Sequence, residues 1–106
     1  MSKIKVKPEG RKGVYTCEKK DIVEWLEQSD MDTVHNYGGN SSPLMIGADW
    51  EKSTVIEQVN KSSRIGILTG SALTSNLRHG LSVITGNKLE MFDIGEITDD
   101  DLDIGE

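Results

Sequence analysis

Three side chains, far apart along the 106-residue chain, have the types that nucleophilic catalysis needs: the thiol of Cys17, the imidazole of His79 and the carboxylate of Asp93. Cys17 is expected in the first turn of a helix over residues 17–28, where the partial positive charge of unpaired N–H groups favours a thiolate. A neighbouring imidazolium would lower the thiol pKa further. His79 opens an expected strand directly after a polar loop, at the rim of a sheet. Asp93 closes the strand that follows. Each residue has an ordinary reading as well. A lone cysteine is commonly a small core side chain, and a rim histidine or a strand-end aspartate is commonly just solvated. The order of the three along the chain is what makes the set worth following.

The elements that must position them follow from periodicity. Thr16 is a candidate N-cap, Glu18 and Asp21 suit the first helical turns, and Ile22, Val23, Trp25 and Leu26 form an apolar stripe. A second helix is expected over residues 54–61, with Thr54 and Glu57 at capping-box spacing and Val55, Ile56 and Val59 on its apolar side. The β-branched residues there equally suit a strand over 53–59. Strands are expected over 64–68, 79–84 and 89–92, with Gly86 and Asn87 as the hairpin turn between the last two. Residues 29–49 are rich in turn formers and read as a long connection, with Leu44, Met45 and Ile46 as a short buried strand inside it. Two helices followed by three strands predict an α+β fold with the helices on one side of an antiparallel sheet.

Hairpin register decides whether His79 and Asp93 can meet. A two-residue turn sets Ile84 against Leu89 and Asp93 against Gly80, with His79 on the opposite side of the sheet. A three-residue turn, Thr85 to Asn87, sets His79 directly across from Asp93. Both registers are open from the sequence.

A nucleophile at a helix start, a histidine on a later strand and an acid on the next one resemble the papain-like cysteine hydrolases. The segments that carry the likeness are VYTCEKKDIVEWL and RHGLSVITGNKLEMFDIGEI. They are similar to bacteriocin-processing cysteine peptidases and to the small papain-fold toxin domains of bacterial polymorphic toxins. The resemblance implies a small papain-like domain over residues 14–97. It implies that Cys17 attacks a carbonyl, that His79 takes and returns the proton, and that Asp93 orients the imidazole. The activity implied is that of a peptidase or glutamine deamidase, including toxin or effector roles. The chain departs from the pattern at Glu18, where those families often have glycine. No glutamine lies just before Cys17 to donate to an oxyanion, which leaves Arg11, Lys12, Tyr15 and the Cys17 N–H as the nearby donors.

Composition bounds the alternatives. The length suits one domain, and 35% apolar residues with five aromatics allow a modest core. A single cysteine excludes an internal disulfide, and no apolar run approaches the roughly 20 residues of a membrane span. The expected location is the cytoplasm, or a target-cell cytosol reached by delivery. Histidines, cysteine and acids lack metal-ligand spacing, and no cofactor fingerprint is present, so neither metal nor cofactor is expected.

Charge is distributed unevenly. Residues 1–20 hold seven Lys/Arg against two Glu and read as a solvated basic arm or an intramolecular partner of the acidic end, with 1–13 as the N-terminal arm; within it residues 2–7 alternate lysine with Ile4 and Val6, which suits an edge strand or a frayed arm. Residues 90–106 hold eight acids and no base, and 98–106 read as a loose acidic tail. The net charge of −6 disfavours nucleic acid as a partner. The eight unopposed acids of residues 90–106 support a second reading: a non-catalytic acidic binding protein whose acidic end mimics nucleic acid or covers a basic site on a protein or peptide partner, as a phage or mobile-element inhibitor or an immunity-type protein would.

Overall fold

Aliphatic residues at every second position build the middle of the sheet. The computed structural model describes residues 3–36, 49–69, 79–95, 97 and 99–105, with the backbone alone at 79, 88 and 99. In chain order the elements are β1 (Ile4–Pro8), β2 (Val14–Cys17), α1 (Lys19–Gln28), β3 (Thr33–Asn36), β4 (Asp49–Glu51), α2 (Lys52–Lys61), β5 (Arg64–Thr69), β6 (His79–Thr85) and β7 (Lys88–Asp93). A short 3₁₀ turn (Asp99–Asp101) and β8 (Leu102–Ile104) complete the fold. The described strands form one sheet in the order β4-β3-β7-β6-β5-β2-β1-β8. Every neighbouring pair is antiparallel except β1 and β8, which run parallel, so the sheet is mixed.

Each helix is a long crossover. α1 carries the chain from β2 to β3 and α2 from β4 to β5, each passing over three intervening strands. α1 buries Ile22, Trp25 and Leu26, the i, i+3, i+4 face expected from its stripe, and α2 buries Val55 and Val59. The helices pack on one another, α1 also against β1 and α2 also against β3, β4 and β6. Beneath them lie Ile4, Val6, Val34, Ile65, Ile67, Leu81, Val83 and Phe92, all buried in one cluster. Both helices end at a serine in extended conformation. The hydroxyls of Ser29 and Ser62 each donate to the carbonyl three residues back, at 2.6 Å.

The α+β class and the placement of the helices are as expected, and the finer sheet is richer. α1 begins at Lys19 with Glu18 as N-cap, because Thr16 and Cys17 belong to β2. α2 begins at Lys52, so Thr54 lies inside the helix and is no cap; the β-branched run there is helical. The expected loose ends are corrected. Ile4 and Val6 of the expected basic arm are core residues on β1, an interior strand between β2 and β8. Ile97 and Leu102, at and beyond the expected domain end, are buried as well. Burial of these two side chains and the parallel ladder to β1 hold the acidic segment against the sheet. β3 lies inside the expected long connection and β4 starts at its last residue, Asp49, while the strand expected at 44–46 falls outside the described residues.

Candidate functional site

Cys17 closes β2, across from the buried Val6, and its side chain packs against the core cluster. This placement follows from the alternation in Val14–Cys17: Tyr15 and Cys17 share the core face, Val14 and Thr16 the open one. Cys17 also lines a cleft of ≈ 500 Å³ with Lys5, Lys7, Thr16, Lys20 and Asp21. Burial pushes the thiol pKa up from its ordinary 9.0 to about 12, and the Asp21 carboxylate adds to the shift. A thiol so placed stays protonated at neutral pH, which is the reverse of an activated nucleophile. The expected helix-tip stabilisation is absent because the residue precedes the helix rather than opening it.

The sheet does not bring the three expected residues together. Its hairpin has the two-residue turn: Gly86 takes φ +63°, Thr85 pairs with Lys88, and Asp93 pairs with Gly80. The register that sets position 79 against Asp93 is not formed. His79 pairs instead with Thr69 of β5, whereas Thr16 pairs with Gly66, three residues back along the same strand. Cys17 lies one step further away still. Four residues of strand and two inter-strand spacings put the backbones of 17 and 79 roughly 16 Å apart. That exceeds what a thiol and an imidazole can span.

Asp93 has a local structural role. Its Oδ1 accepts the Gly95 N–H at 2.9 Å, and Gly95 takes φ +86°, so the carboxylate caps the turn that leaves β7. A carboxylate used this way holds the chain on course from Asp93 to the buried Ile94 and Ile97.

Among the described residues an imidazole–carboxylate pair forms elsewhere, at a histidine the sequence does not single out as catalytic. His35 of β3 pairs across strands with Asp93 on one side and Asp49 on the other, and its Nδ1 lies 2.6 Å from Asp49 Oδ1. The sequence holds little signal for it: the four-residue β3 lies inside what reads as a long connection, and its pairing with β4 and β7 is non-local. Such a pair orients an imidazole, but Cys17 lies four inter-strand steps away, on the order of 19 Å across the sheet. His35 therefore does not serve the thiol.

The acidic C-terminal stretch is the remaining feature. Asp100 and Asp103 are exposed on a segment that Ile97 and Leu102 fix to the core, and β8 forms the last strand on its side of the sheet among the described residues. Ile104 is 45% exposed beside them. Among the described residues, no group of three or more His, Cys, Asp or Glu is placed to hold a metal ion, and no helix is long and apolar enough to cross a membrane. No family model, curated protein or solved structure matches the chain.

Proposed function

We propose that this domain acts by binding a basic protein or peptide surface through its C-terminal acidic edge, without catalysis. The observation that carries the reading is the mounting of the acids. Of the eight acids in residues 90–106, Glu90 is buried on β7 and Asp93 caps the turn after it, whereas Asp100, Asp101 and Asp103 lie on or just before β8, in a segment folded onto the sheet. Fixed carboxylates lose less side-chain and backbone entropy on binding than those of a mobile tail. They also steer a basic partner toward one face. Inhibition of a protein through its cationic site, as in a mobile-element inhibitor or immunity-type protein, is the class of role this suits.

The test compares two variants against a partner captured by cross-linking. Cys17→Ser is expected to bind as the wild type does. Asp100→Lys/Asp103→Asn is expected to lose at least tenfold in affinity, and wild-type binding is expected to weaken as salt rises. Retained binding by the acidic-edge variant would contradict the proposal.

A cysteine-dependent hydrolase of the papain-like kind is the second reading. It is favoured by the ≈ 500 Å³ cleft at Cys17. The suppressed thiolate and the separation of the three residues weigh against it. Loss of function in Cys17→Ser with binding intact would restore it.

A further inference from the structure

We infer that the open edge of β8 accepts an extended strand from a partner protein, one in which lysine or arginine alternates with β-branched aliphatic residues. The inference rests on the binding reading above and specifies its mode. The backbone argument comes first. The Gly105 N–H donates to the Val6 carbonyl at 2.9 Å, so it points toward β1. Successive N–H groups along a strand point in opposite directions. The donors and acceptors of Ile104 and Leu102 therefore face the open side, where β8 has no further neighbour among the described strands.

The chain itself shows what β8 pairs with. Its inner edge holds β1, in which Lys5 and Lys7 alternate with Ile4 and Val6, continuing the alternation from Lys3 just before the strand. In that pairing Lys5 stands across from Asp103 and Val6 from Ile104. The outer edge presents the same two side chains, with Asp103 exposed and Ile104 45% exposed. A second strand of the same chemistry gains a Lys–Asp pair on one face and an aliphatic pair on the other. A second copy of β8 is disfavoured because acid would face acid. Shortness and charge guard this edge against acidic strands and not against basic ones.

The experiment titrates the isotopically labelled full chain with two end-blocked peptides, followed by amide NMR shifts. One copies residues 3–8, KIKVKP; the other has the same composition with its three lysines contiguous. The ordered peptide is expected to shift the Leu102–Ile104 amides and to bind at least fivefold tighter than the reordered one. Ile104→Pro removes only an outward N–H, a change edge strands tolerate, and is expected to weaken binding at least tenfold. Ile104→Lys, at an exposed position, gives the same loss should the proline variant fail to fold. Equal binding of both peptides would overturn strand addition and leave the acidic-edge reading standing. Shifts centred on β2 would show replacement of β1 and overturn it too. Absence of binding by either peptide at millimolar concentration would overturn both readings.

Discussion

Cys17 is a core-flanking thiol, and its chemistry follows from what surrounds it. Val6 stands across from it, the apolar cluster packs beneath it, and Asp21 adds an unfavourable charge for a thiolate. Alkylation by iodoacetamide is accordingly expected to be slow at pH 7 and to rise only as pH approaches about 12. Asp21→Asn should shift that profile downward, since it removes the smaller of the two causes. The linkage has a definite sign. The folded pKa lies above the ordinary 9.0, so Cys17 ionisation leaves stability unchanged below pH 9 and subtracts from it as pH rises from 9 toward about 12. Rapid labelling at pH 6–7 would contradict this placement. The sequence could nominate the thiol but could not supply its environment, which comes from the distant strand β1.

At the scale of elements, legibility tracks how local the signal is. The 3.6-residue stripe of α1, the Gly86–Asn87 turn and strands β5 to β7 are each encoded within a dozen residues, and all were readable. Helix starts were not, since Glu18 and Glu51 cap without side-chain hydrogen bonds and leave no capping signature. The alternation of residues 2–7 suggests β1 as an edge strand or a frayed arm, but β3, β4 and β8 leave no such mark because three or four residues carry too little periodicity. Their stability comes from non-local pairing. β8 is the clearest case: in sequence it is an acid-rich end, and only the parallel ladder to β1 and the burial of Leu102 make it a strand. Leu102→Ala is expected to destabilise the fold by about 2–4 kcal/mol in denaturant unfolding, as for other buried leucines. A change below roughly 0.5 kcal/mol, the range of surface substitutions, would mean that β8 is not docked.

For the whole molecule, topology governs what a site can be. The crossovers of α1 and α2 place strands that are close in sequence at opposite parts of the sheet, so β2 and β3 are separated by β7, β6 and β5. That separation keeps Cys17 from His35, and the two-residue hairpin keeps Asp93 from position 79. The same topology brings the basic N-terminal strand and the acidic C-terminal strand side by side at one edge. Charge asymmetry that looks like two solvated ends in the sequence becomes one folded border, with Asp103 on the outermost described strand and Asp100 exposed beside it. The central claim is that this border, and not the thiol, carries the function. Partner affinity measured in parallel for Cys17→Ser and Asp100→Lys/Asp103→Asn tests it most directly. The account predicts wild-type affinity for the first and at least a tenfold loss for the second; the opposite pattern would contradict it.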